Sequence, residues 1–277
     1  MSGKLYVCPT PIGNLEDITY RTLRIFNEVD MIAAEDTRHT IKLLNHFEIS
    51  KPLTSYHEHN KNSKGYVLIE ALKEGKNIAL VSDAGMPGIS DPGEDIVREC
   101  IENSIDVEIL PGASAFVIAL VGSGIDTRRF TFEGFLDREK KKKKKRIEEI
   151  KNEKNTLIIY ESPHRLKETL KLLREGFGDR KISLCRELTK KHEEYIRTTI
   201  EGAITYYEQN DPRGEYILII EGNKNVEESL DETDKLDDRE YVKHLMDNGM
   251  SKKDAIKTVA KKRGLKRDVV YQQALDL

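Results

Sequence analysis

The chain has 277 residues, 38% hydrophobic and 34% charged, with a formal net charge of −3 at pH 7. That balance is too apolar for a disordered polypeptide, and no run approaches the roughly 20 apolar residues of a membrane span. The slight negative charge excludes a uniformly basic nucleic-acid binder, but not one with local basic patches.

The residues before the first apolar run, Leu5–Cys8, carry neither the apolar stretch nor the cleavage site of a signal peptide. Further strands are expected at Asp30–Ala34, Asn77–Ser82, Val107–Leu110, Thr156–Tyr160, Ile182–Cys185, Ile196–Glu201 and Tyr216–Glu221. Amphipathic stretches such as Thr40–Phe47, Gly65–Glu74 and Ile96–Asn103 lie between them, the alternation of an α/β fold with a parallel sheet. Cys8, Cys100 and Cys185 are far apart and set in apolar runs. They predict a reduced, cytoplasmic protein without disulfides. No metal is expected, since His57 and His59 offer two ligands and no third cluster.

Four segments follow: an α/β domain over 1–122, a second over 123–224, an acidic linker over 225–237, and a helical tail over 238–277. In the tail, Ser251 is a predicted N-cap, and Gly264-Leu265 turns into a last helix. Three short helices in this space have the size of a helix-turn-helix module. The tail carries ten basic and six acidic residues. Arg138–Arg146 carries eight basic residues against Glu139 alone. Such a run reads either as solvated surface or, as a flexible basic strip near the junction of the two domains, as a contact for RNA phosphates.

Chemistry-bearing residues gather where strands run out, the edge at which open α/β sheets bind ligands. Cys8-Pro9-Thr10-Pro11-Ile12-Gly13-Asn14 follows the first strand and lacks the glycine pattern of a dinucleotide loop. Ser82-Asp83-Ala84-Gly85-Met86-Pro87-Gly88, continuing to Gly93, packs two Asp, two Pro and three Gly into twelve residues, more than a turn requires. Glycines there admit backbone close to a ligand, and a carboxylate suits a ribose or an ammonium group. Glu35-Asp36-Thr37-Arg38-His39 reads either as a polar binding cluster or as a structural ion pair. Leu110-Pro111-Gly112-Ala113-Ser114-Ala115, Tyr160-Glu161-Ser162-Pro163-His164-Arg165 and Arg186-Glu187-Leu188-Thr189-Lys190 end three further strands.

Together these motifs resemble the tetrapyrrole methylase superfamily over about residues 4–222. More narrowly they are similar to its ribosomal RNA small subunit methyltransferase I branch. The superfamily's usual first loop, Gly-x-Gly-Pro-Gly-Asp, is replaced here by Pro9–Asn14, which points to the RNA branch and away from corrin or sirohaem substrates. The resemblance implies two α/β domains enclosing S-adenosylmethionine. Pro9, Thr10, Pro11, Ile12, Asp83, Met86, Ser114, Ala115, Tyr160 and Leu188 would line that cleft. Met86 departs from the threonine of many relatives. The resemblance further implies a homodimer that methylates the ribose 2′-oxygen of a cytidine in the decoding region of 16S rRNA, within the 30S subunit.

A neutral hydroxyl is a poor nucleophile, so orientation and proton removal must both assist. Glu187, Lys190 and Asp36 are expected at this step, with Glu35 and His59 also available. Arg38, His59, Lys140, Lys141, Lys142 and Arg165 are expected on the substrate side. The rival readings are a tetrapyrrole or other small-molecule methylase, and a non-enzymatic RNA-binding protein of ribosome assembly.

Overall fold

The computed structural model describes residues 2–224 and 236–277. The expected acidic linker therefore lies, apart from Leu236 and Asp237, outside the described residues. In the first half, strands Lys4–Val7 (β1), Met31–Ala34 (β2), Leu53–Ser55 (β3), Ile78–Val81 (β4) and Asp106–Ile109 (β5) alternate with helices. These are Tyr20–Glu28 (α1), Thr37–His46 (α2), Lys61–Lys73 (α3), Gly93–Glu102 (α4) and Ala115–Ser123 (α5). The sheet runs β3-β2-β4-β1-β5, and every neighbouring pair is parallel.

Parallel strands covered on both faces read as unbroken apolar runs, and Ile78-Ala79-Leu80-Val81 is such a run. Leu5, Val7, Ile78 and Leu80 face Leu68 and Leu72 of α3 and Ile96 and Cys100 of α4. Ile32, Ala34, Ala79 and Val81 face Ile25 and Phe26 of α1 and Leu44 of α2. Shortening Leu80 to alanine would cost about 2–5 kcal/mol in so closed a layer.

The second sheet comprises Phe130–Phe135 (β6), Thr156–Glu161 (β7), Lys181–Arg186 (β8), Glu194–Thr199 (β9) and Tyr216–Ile220 (β10). Its helices are Lys140–Ile150 (α6), Pro163–Phe177 (α7) and Ile200–Gln209 (α8). The order is β6-β7-β10-β8-β9; β6 and β7 are parallel and the other pairs antiparallel. Leu157, Ile159, Leu184 and Leu218 pack on α7 and α8. On the opposite face, Ile158, Cys185, Ile217 and Ile219 receive Ala119 and Leu120 of α5. The expected boundary at 122–123 thus cuts the end of a helix that packs on the second sheet.

The basic run, expected as a flexible strip, is the first half of α6. Lysine is a good helix former, and Ile147 and Ile150 give the helix a buried edge. That edge includes Lys143, which is buried with them.

The chain divides into two units, Met1–Asn223 and Lys224–Leu277. The second holds helices Asp238–Asp247 (α9), Lys252–Arg263 (α10) and Arg267–Gln273 (α11). Asp237 and Glu240 form a capping box, and Ser251 Oγ accepts from the Asp254 N–H. Val242, Ala255, Val259, Val270 and Ala274 are sealed together, whereas Val269 and Leu275 face outward. The α/β class, the two sheets and the helical tail are as expected from the sequence. Among the described residues no helix is long and apolar enough to cross a membrane.

Candidate functional site

The loops after β1 and β4 are tied to each other. Thr10 and Gly85 exchange backbone hydrogen bonds, both 3.0 Å, and Thr10 Oγ1 donates to the Ser82 carbonyl at 3.2 Å. Gly85 has φ +82, and a Cβ there would stand 3.2 Å from Ile12 Cγ2, so the crossing admits glycine. One oxygen of Asp91 accepts the N–H groups of Gly88 and Gly93, each at 2.8 Å, which folds the rest of the loop back on itself. Pro9 is buried against Gly112 and anchors the β5–α5 loop to the same platform.

The segment after β8 meets this platform from the second sheet. Asn14 N–H donates to Thr189 Oγ1 at 3.1 Å, and a side chain at Gly13 would strike the Leu188 carbonyl. Glu187 and Thr189 adopt left-handed backbone, φ 51 and 64, as does Ser90 in the facing loop, φ 67. Strained, non-glycine conformations of this kind persist where surrounding structure imposes them, and they collect at functional sites.

Between the two halves lies a cleft of about 300 Å³. Ile12, Met86, Ile89, Phe135, Leu188 and Ile217 give it apolar walls; Glu35, Asp83, Ser114, Glu187 and Lys190 bring polar groups. Ser114 caps α5 without a side-chain cap hydrogen bond, and it lines the cleft together with Ala115, the first residue of that helix. The size and the mixture of walls suit one small organic ligand.

Of the expected donor-binding positions, Ile12, Asp83, Met86, Ser114, Ala115, Tyr160 and Leu188 line the cleft. Thr10 and Pro11 instead line a second recess of about 230 Å³, with Leu15, His39, Thr40, Lys42 and Leu43. Ser82 and Asp83 belong to both. Glu187 and Lys190 line the cleft as an ion pair, Nζ to Oε1 3.1 Å. Asp36 caps α2, and Arg38 grips both of its oxygens at 2.6–3.1 Å. The Arg38 guanidinium and backbone N–H hold Asp36 well below the usual carboxylate range. Arg165 donates to the carbonyls of Leu136 and Asp137, at 2.6 and 3.2 Å, and stands 3.2 Å from Glu161. Lys140 and Lys142 pair with Glu168 and Glu139 on the outer face of α6, and Lys141 is exposed. His59 is exposed and lines neither recess.

Burial raises the Glu35 carboxyl above its usual range, and the charges of Asp83 and Asp91 add to the effect against the Asp83 N–H that Glu35 accepts. Burial pushes Tyr160 up to about 12 and Cys185 up to about 11, so both stay neutral walls at physiological pH. Asp83 is held by the Asp36 N–H at 3.0 Å, and its other oxygen lies 3.7 Å from His39 Nδ1. The sequence did not single out Phe135, Glu215 or Ile217, which also line the cleft, whereas Ser90 falls within the Ser82–Gly93 segment. Glycine before Phe135 at a strand end was a usable signal; Glu215 and Ile217 carried none, because only sheet pairing brings them here.

Residues 4–204 match the family described as Tetrapyrrole (Corrin/Porphyrin) Methylases. The chain is 51% identical over 271 residues to a protein of Bacillus subtilis named Ribosomal RNA small subunit methyltransferase I, covering 97% of this chain and 93% of that one. It is 44% identical over 276 residues to a Synechocystis protein of the same name, covering 99% and 98%. Among solved structures, the methyltransferase CobJ superposes with a TM-score of 0.60 at 20% identity, covering 80% of this chain and 95% of the other. Diphthine synthase does so with 0.60 at 14%, covering 80% and 90%. At those identities the likeness is one of fold.

Proposed function

The chain belongs to the tetrapyrrole (corrin/porphyrin) methylase family, and from that premise we propose that it methylates the ribose 2′-oxygen of a cytidine in the decoding region of 16S rRNA, with S-adenosylmethionine as donor. The observation that carries the reading is the similarity, over nearly the whole of both chains, to proteins named for small-subunit rRNA methylation.

The cleft fits the donor. Its apolar and aromatic walls at Ile12, Met86, Leu188 and Tyr160 suit an adenine and the carbon chain beside the sulfonium. Ser114 and the start of α5 suit the donor's carboxylate, since the positive end of the helix dipole favours an anion there. Asp83 suits its ribose or ammonium group. S-adenosylmethionine supplies at this place an electrophilic sulfonium methyl. The protein's own contribution is to hold, to orient and to exclude water; Glu187 and Lys190 neutralise each other on the cleft wall while they do so.

The RNA side of the reading rests on charge. Lys140, Lys141 and Lys142 project from α6, and exposed ion pairs such as those of Lys140 and Lys142 are weak enough to be exchanged for phosphate. The tail, net +4 by the residues of 238–277, adds a second basic surface. A homodimer is part of the proposal, supported by Val117 and Val121, one turn apart on α5 and exposed. A ribosomal target places the protein in the cytoplasm.

Incubation with labelled S-adenosylmethionine and separated 30S subunits, 50S subunits, naked rRNA and tetrapyrrole tests the reading. Label should enter the RNA of the 30S fraction. Label in tetrapyrrole would put a small-molecule methylase in its place, and no label in any fraction would favour a non-enzymatic assembly protein.

A further inference from the structure

We infer that His39 takes the proton from the methylated hydroxyl, and that the recess bounded by Pro11, Leu15 and Leu43 receives the acceptor ribose; the inference rests on the methyl-transfer reading above. The recess adjoins the donor cleft across one partition, made by Ser82 and Asp83, which line both. A donor on one side and an acceptor on the other would both touch these two residues. Apolar Pro11, Leu15 and Leu43 suit the carbon face of a sugar, and Lys42 suits the phosphate that follows it.

His39 lines the recess beside this partition. Asp83 Oδ1 is fixed by the Asp36 N–H at 3.0 Å, which leaves Oδ2 directed at His39 Nδ1, 3.7 Å away. A carboxylate held from behind and facing an imidazole is the arrangement by which a base is oriented, its other nitrogen left for the substrate. The competing groups are engaged otherwise. Asp36 is gripped by Arg38 at 2.6–3.1 Å and is too weak a base. Lys190 donates to Glu187 at 3.1 Å. Glu35 lines the donor side alone, where it accepts the Asp83 N–H at 3.3 Å.

Imidazole is the side chain whose ordinary pKa matches proton transfer near neutrality. His39 accepts the hydroxyl proton while the ribose oxygen bonds the methyl carbon. The carbon–sulfur bond breaks with its electron pair left on sulfur, giving a methyl ether, a neutral thioether and an imidazolium that returns its proton to water. The charged groups around the ring are Asp83 from the β4 loop, Asp36 and Arg38 at the start of α2, and Lys42 one turn on.

Two measurements on the full chain test the inference. In His39→Gln, kcat on 30S subunits should fall on the order of 100-fold to 10,000-fold, with S-adenosylmethionine affinity within twofold of wild type. Added imidazole should restore part of the rate in His39→Ala. A kcat within threefold of wild type would overturn it, as would a rate loss explained by lost donor affinity. The second readout needs no turnover. The His39 ring signal in the NMR spectrum, identified by its absence from His39→Gln, should shift when a short single-stranded cytidine oligoribonucleotide is added to protein saturated with S-adenosylhomocysteine. If wild type labels no 30S subunits, the target reading fails on its own and the NMR titration decides alone: a shift supports the recess, and an unmoved signal removes His39 from it.

Discussion

Lys143 and Glu161 form an ion pair sealed from solvent, Nζ 3.9 Å from Oε2, with 1% and 0% of their side chains exposed. Thr169 bridges them: Nζ donates to its Oγ1 at 3.1 Å, and that hydroxyl donates to Glu161 at 2.5 Å. Glu161 also faces Arg165, which holds the carbonyls after Phe135. The network therefore joins the basic helix to two segments that wall the cleft.

Removing one partner of a buried pair leaves an uncompensated charge, at a cost of about 3–5 kcal/mol. Lys143→Ala should lose that much in urea unfolding. Lys143→Met combined with Glu161→Leu should lose far less, since an apolar pair of similar volume needs no compensation. Serine at Lys140, Lys141 or Lys142 should shift stability by no more than about 0.5 kcal/mol. A salt-dependence experiment on the basic run must therefore spare Lys143.

The raised carboxyl of Glu35 makes a pH prediction. In the folded chain it stays protonated to higher pH than in the unfolded chain, so the folded state binds more protons as pH rises past the ordinary 4.5. Stability is then lost through that window and stays lost at neutrality; below 4.5 both states are protonated and the effect vanishes. Glu35→Gln should raise Tm at pH 7.5, and the gain should shrink towards zero as the pH is lowered below about 4.5. Calorimetric scans across this range check it; an equal gain at every pH would contradict the assignment.

Asp83 stands between the two recesses and faces both. Asp83→Ala should weaken S-adenosylmethionine binding by about 1–3 kcal/mol, because a polar group on the donor loses its acceptor. Isothermal titration showing unchanged affinity would take Asp83 out of the donor site.

The tail has its own core of Val242, Ala255, Val259 and Val270. Truncation after Leu236 should raise KM for the RNA substrate several-fold and leave donor affinity nearly unchanged. Loss of donor binding on truncation would make the tail part of the cleft's support instead.

The elements legible in the sequence were those specified locally. Ile78–Val81 announces itself as a doubly covered strand, and the Pro, Gly and Asp of the β4 loop mark a binding turn. Leu53–Ser55 was not expected: three residues at a sheet edge, all half-buried, carry too little pattern. Phe130–Phe135 was hidden because Gly134, φ 62, sits in a bulge that interrupts the alternation. Lys143 reads in sequence as one of six consecutive lysines, and only the pitch of α6 turns it towards Glu161. The same holds for the cleft. Its loops were visible one by one, but the neighbourhood of His39 and Asp83, 44 positions apart by their numbers, is made by the β2–β4 pairing.

The most direct measurement is mass spectrometry of nucleosides from 16S rRNA of cells with and without the gene. The account predicts that one 2′-O-methylcytidine, mapped to the decoding region, disappears when the gene is removed and returns with the wild-type chain. A base-methylated nucleoside in its place, or rRNA identical in the two strains, would contradict it.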